Sequence, residues 1–174
     1  SESADSNCGY APQGKGASAN LQYKISLKAE EEKTIKIFIA GSYTSQQNVE
    51  KTYDLLAKHY ETYLKDKIKH YQRIASMSKL TIPDKELQEA FEWVKYNTEW
   101  LVRDVPEVGR GLGAGMPDYP WWFGVDNEYT LKGAIATGRK DLVFRTIELI
   151  HKLSESNGNG QVIHEVSTNG AVFN

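Results

Sequence analysis

GRGLGAGMPDYPWWFGVDNEY, residues 109–129, is the segment on which the architecture turns. Its five glycines (Gly109, Gly111, Gly113, Gly115 and Gly124) and its prolines Pro117 and Pro120 exclude a continuous helix. Tyr119, Trp121, Trp122 and Phe123 fall within five positions. A loop this apolar must be covered by protein or must face a ligand. Gly109, Gly111 and Ala114 fit the loose dinucleotide pattern G-x-G-x-x-A. That pattern needs a strand before it and a helix after it. Here a helical pattern and Pro106 precede it and Met116-Pro117-Asp118-Tyr119-Pro120 follows, so a nucleotide site is rejected and no cofactor is expected.

On either side the pattern is mainly helical. Leu87, Ala90, Phe91, Val94 and Leu101 share one face of a helix that opens near Pro83, with Asp84 or Thr81 as N-cap. Pro106 and the glycines end it. A further helix is expected over 127–136, stopped by Gly138, and another over 140–153 with Leu142, Val143, Ile147, Leu149 and Ile150 buried. Upstream, Val49, Tyr53, Leu56, Tyr60, Tyr63, Leu64, Ile68, Tyr71 and Ile74 recur at three- and four-residue steps, the period of a long amphipathic helix. Its basic residues Lys65, Lys67, Lys69 and Arg73 read as a solvated face. Before it, Leu21, Tyr23, Ile25 and Leu27, and then Ile35, Ile37 and Ile39, alternate as half-buried strands do, with 28–33 as a hairpin connection. Two strands do not make a stable sheet alone, so they are expected to be the last strands of something larger. Residues 1–20 read as irregular.

The composition is ordinary for a globular chain of 174 residues, 40% hydrophobic and 25% charged. The net charge of −2 combines +3 over residues 1–80 (12 basic, 9 acidic) with −5 over 81–174 (9 basic, 14 acidic). All four tryptophans lie in the acidic part. No nucleic-acid partner and no membrane is expected, because neither a basic surplus nor an apolar run of roughly 20 residues is present. Cys8 is the single cysteine, which excludes an intrachain disulfide and leaves the compartment open, with the cytoplasm slightly favoured. His164 beside Glu165 lacks the H-E-x-x-H spacing of a zinc site and no 12-residue calcium loop is visible, so no metal is expected.

Aromatic rings and carboxylates together suit a sugar. Pyranose C–H faces stack on Trp and Tyr, and the hydroxyls need carboxylates and amides. Cleavage of a glycosidic bond needs a carboxylic acid to protonate the leaving oxygen. Asp126, three residues after Phe123 at the start of a helix, is the candidate acid. The competing reading makes Asp126 an N-cap and the aromatics a plug at the end of a helical bundle.

Pro120-Trp121-Trp122-Phe123-Gly124-Val125-Asp126, followed by Thr130-Leu131-Lys132-Gly133 and Ala136-Thr137-Gly138-Arg139, resembles the W-F-G-x-D…G…T-G-R signature of the amylo-α-1,6-glucosidase or glycogen-debranching group. These glycoside hydrolases are built on an (α/α)6 barrel related to that of the processing α-glucosidases and trehalases. The resemblance implies a mostly α chain: the end of a β-sandwich over 1–45, a helical linker over 46–80, and the first hairpins of the barrel over 81–174. It implies Asp126 as general acid and Tyr119, Trp121, Trp122 and Phe123 as the wall of the sugar site. Ile163-His164-Glu165 resembles a later pocket-facing segment, which adds His164 as a hydroxyl contact and Glu165 as a second carboxylate. Val125 stands where debranching enzymes usually carry Arg, which broadens the resemblance to an α-glucosidase-like group. The family inverts configuration with an acid and a base. The base is expected beyond residue 174, in the remainder of the same polypeptide, and the substrate is expected to be an α-linked gluco-oligosaccharide or polysaccharide. A non-catalytic sugar-binding module and a purely helical interaction protein are the alternatives.

Overall fold

The computed structural model describes residues 20–42 and 44–173. It is mostly helical, with four helices and two small antiparallel sheets. The chain divides into two compact units, 1–53 and 54–174.

In the first unit, residues 20–42 form a turn but no strand. Glu31 N–H donates to the Lys28 carbonyl at 3.1 Å, and Glu31 Oε2 accepts from Lys28 N–H, so the reversal falls inside the expected connection. The flanking segments do not pair. Ile35, Ile37 and Ile39, expected inside, are exposed, while Phe38 and Ala40 between them are half-buried. Phe38 meets the Tyr53 ring edge-on at 6.4 Å. Alternation alone does not choose a face. Burial against a partner does, and here an aromatic contact selects the opposite register from the isoleucines.

Helix α1, Gln46–Ser76, has the span its period predicts, with non-helical backbone at His59. Helix α2, Lys85–Trp100, is capped by Asp84, whose side chain accepts from Leu87 N–H at 3.0 Å. The face that α2 turns inward is only partly the expected apolar one: Phe91 and Leu101 are half-buried, and Leu101 packs on a core cluster. Leu87 and Val94 are more than half exposed, whereas Lys95 is fully buried. Lys95 Nζ donates to the carbonyls of Ala75, Met77 and Ser78 and pairs with Glu92 at 2.9 Å. A helix leaves its last carbonyls without intrahelical partners. The Lys95 ammonium collects those at the end of α1 and explains its burial.

One turn later Glu99 joins three segments. Its Oε1 accepts from His70 Nε2 at 2.6 Å, and its Oε2 lies 2.6 Å from Arg139 Nη2. Arg73 Nη2 is 3.3 Å from His70 Nδ1. An arginine can only donate, so Nδ1 accepts and the hydrogen sits on Nε2. The Glu99–Arg139 contact is close in charge but off the line of a hydrogen bond, and Arg139 Nη1 has no acceptor among the described residues.

A hairpin follows α2 where only a helix stop was expected. Strand β1, Val102–Val105, pairs with β2, Gly109–Leu112, in the register Val102↔Leu112 to Val105↔Gly109. Pro106 holds the second position of the turn, closed by Val108 N–H to the Val105 carbonyl, the place that its fixed φ suits. Strand β3, Trp122–Phe123, runs into helix α3, Gly124–Ala136, which starts three residues earlier than its pattern suggests. Helix α4, Lys140–Asn157, continues past Leu153 to a left-handed cap at Gly158. Strands β4, Glu165–Val166, and β5, Val172–Phe173, complete a sheet in the order β3-β4-β5.

Two apolar clusters hold the second unit. One contains Leu112, Leu131, Ala134, Leu142 and Val143, and the other Trp122, Leu149, Ile163 and Val166. Ile147, expected inside, is half exposed. Polar side chains register β2 between the helices. Leu112 N–H donates to Thr146 Oγ1 at 3.0 Å, and the Leu112 carbonyl accepts from Asn127 Nδ2 at 3.1 Å.

Because Glu99 and Arg139 are both at most a tenth exposed, removing one partner leaves an uncompensated buried charge. Arg139→Met is expected to cost about 3–5 kcal/mol of unfolding free energy. Combining it with Glu99→Leu is expected to recover a large part. Chemical denaturation of the single and double variants checks both.

Candidate functional site

The sequence around Trp122 is extended and then helical, and that switch sorts its aromatic residues onto two sides. In an extended segment side chains alternate, so Trp121 and Phe123 share a face and Trp122 points the other way. Trp122 is accordingly fully buried. It belongs to the core with Leu149, Ile163 and Val166, and is not part of an exposed sugar wall. A Cβ at Gly111 would stand 3.1 Å from Trp122 Nε1 and Cδ1, a tight contact that places the indole close against the β2 backbone. Its Nε1–H has no acceptor among the described residues.

On the opposite side from Trp122, Phe123 is the centre of a cluster, and its ring is itself buried, 9% exposed, beneath its neighbours rather than part of an exposed wall. Trp121 stacks beside it at 6.5 Å with the planes 23° apart. Tyr119 meets it edge-on at 6.3 Å and His164 edge-on at 5.7 Å. Tyr119 and His164 are exposed and Trp121 is half-buried. The loop carrying Tyr119 and Trp121 is folded back on itself: Ala114 N–H donates to the Trp121 carbonyl at 2.9 Å and Gly115 N–H to the Tyr119 carbonyl at 2.8 Å.

Gly124 brings the second segment to this cluster. Its N–H donates to the His164 carbonyl at 2.9 Å, and a Cβ on it would lie 2.5 Å from the Ile163 carbonyl oxygen. No side chain fits at that distance. The ladder then places Phe123 opposite Glu165 and Trp122 opposite Val166. Glu165 is half-buried beside the ring cluster. Tyr119, Trp121, Phe123, His164 and Glu165, from two segments distant in sequence, therefore gather on one side of the sheet, away from Trp122.

Asp126 lies in the first turn of α3 and is exposed. The helix start favours its negative charge. It does not cap the helix: the N-cap residue is Phe123, without a side-chain hydrogen bond. Asn127, which the sequence reading passed over, fixes this turn from inside. It is 3% exposed and its Nδ2 donates to the carbonyls of Leu112 and Phe123. An amide directly after the candidate acid, on a helix otherwise buried through Leu131 and Ala134, is the signal that could have marked it.

A groove of about 490 Å³ lies elsewhere, between α3 and α4, with Leu131, Ile135, Val143 and Ile147 in its lining. It includes none of Tyr119, Trp121, Trp122, Phe123, Asp126, His164 and Glu165; Glu128, Lys132 and His151 are the titratable groups at its edge, and no Trp, Tyr or Phe lines it. Among the described residues no group of three or more His, Cys, Asp or Glu could hold a metal, and no helix is long and apolar enough to cross a membrane.

Comparison with known proteins returns no matching family model, no matching curated protein and no matching solved structure.

Trp122→Ala is expected to cost about 3–5 kcal/mol, the range for emptying a buried aromatic position. Trp122→Phe keeps most of the apolar contact and removes the orphan N–H, so its cost is expected to be much smaller. Urea midpoints of the two variants against the parent chain measure the difference.

Proposed function

We propose that the chain carries the acid-bearing part of an inverting glycoside hydrolase acting on α-linked gluco-oligosaccharides or glycogen-like polysaccharides. In this reading 81–174 are the first hairpins of an (α/α)6 barrel, as the resemblance to the debranching group implies. The observation that carries the proposal is the single face formed by Tyr119, Trp121, Phe123, His164 and Glu165, with Asp126 on the helical turn that follows Phe123.

The chemistry runs as follows. The exposed ring of Tyr119 and the half-buried ring of Trp121 take the C–H face of a glucose unit. Glu165 and His164 accept and donate hydrogen bonds to its hydroxyls. Asp126, protonated, gives its proton to the glycosidic oxygen as the C1–O bond breaks. A water deprotonated by a second carboxylate attacks C1 from the opposite face, and configuration inverts.

General-acid catalysis contributes about 10²–10⁴ in rate. Asp126→Asn in the intact enzyme is expected to keep its fold and its sugar affinity while kcat on an α-linked gluco-oligosaccharide falls by about that factor. Unchanged turnover in the variant rules out Asp126 as the acid. Asp126 is exposed, and this favours one second reading, a sugar-binding face without catalysis. The intact protein would then bind the oligosaccharide and leave it uncleaved.

A further inference from the structure

The sheet that carries Glu165 has a third strand, and its outward residue has no role in the site so far described. Phe123 pairs with Glu165, and Glu165 pairs with Phe173. Residues directly opposite one another in antiparallel strands put their side chains on the same face. Phe123, Glu165 and Phe173 therefore form one row across the sheet. The neighbouring row, Trp122, Val166 and Val172, identifies the other face. All three pack into the same apolar cluster, with Trp122 and Val166 fully buried. The row carrying Phe173 lies on the other face, covered at its Phe123 end, which is 9% exposed, half-buried at Glu165 and open at Phe173, which is 48% exposed. It makes no ring contact among the described residues.

We infer that Phe173 is a second stacking platform for the sugar, on the far side of Glu165 from the Phe123 cluster. The inference rests on the sugar-site reading above. Two strand spacings separate the Phe123 and Phe173 backbones by about 9–10 Å, which leaves the width of one pyranose ring above the central carboxylate. The chemistry of the row selects the ligand. A purely apolar partner laid across it would strip water from the Glu165 carboxylate and give no hydrogen bond in return, a costly desolvation. A glucose unit covers the phenyl ring with its C–H face and turns hydroxyl donors toward Glu165.

The test is calorimetric titration of a pentasaccharide of α-1,4-linked glucose into the full chain, the Phe173→Ala variant and the Phe173→Tyr variant. Phe173→Ala is expected to bind about tenfold more weakly, equivalent to ~1.4 kcal/mol, and Phe173→Tyr to bind like the parent. If Phe173→Ala fails to fold, Phe173→Leu replaces it, since leucine keeps apolar bulk and removes the flat ring, and the same loss is expected. A parent chain that binds, with an alanine or leucine variant that folds and binds equally well, overturns the assignment of Phe173 and leaves the sugar face standing. A parent chain that binds no pentasaccharide overturns the sugar-face reading and this inference together.

Discussion

The site depends on the absence of one side chain. At Gly124 the backbone approaches the Ile163 carbonyl so closely that a Cβ would stand 2.5 Å from its oxygen, while the Gly124 N–H donates to the next carbonyl, that of His164. This contact sets the register of β3 against β4. The register then sends Trp122 inward and holds Phe123 opposite Glu165. It also fixes where α3 starts, and so the turn that carries Asp126. A larger residue at 124 would separate these two segments before anything else in the fold had to change.

Around that contact, polar groups do much of the registering. Leu112 has its N–H held by Thr146 and its carbonyl by Asn127. Each such bond contributes only about 0.5–1.5 kcal/mol net, but leaving its partner buried and unpaired costs more. The same asymmetry governs Lys95, which collects three carbonyls, and the Glu99–Arg139 pair. These groups specify which segments meet. The two apolar clusters supply the burial that makes meeting favourable.

What the sequence showed follows from these physics. Long periodic segments were legible: α1 has the span its pattern gives, α4 begins where expected, and Asp84 caps α2. The hairpin β1–β2 was not, because each strand has four residues, too few to show a period, Gly109 and Gly111 weaken β2, and the pairing depends on the Pro106 turn and on β2 packing against α4. The inward face of α2 was misjudged because Lys95 and Glu99 are polar and their partners lie in distant segments. The paired alternation before residue 40 looked like a sheet, but the register that burial selects there puts Phe38 rather than the isoleucines inside. Within the site, Tyr119, Trp121, His164 and Glu165 gather around the Phe123 ring, which is itself buried. Trp122 was named with them and lies beneath. Alternation in the extended stretch 121–123 already separates it from its neighbours.

The coupling on which the site rests is the one Gly124 makes between the aromatic loop and the segment bearing His164 and Glu165. It is tested most directly by nuclear Overhauser contacts between the Phe123 and His164 rings, whose centroids lie 5.7 Å apart, in the parent chain and in Gly124→Ala. The account predicts a clear ring-to-ring contact in the parent and its loss in the variant, with the helical circular dichroism largely kept. The same contact at undiminished intensity in a folded Gly124→Ala chain would contradict it.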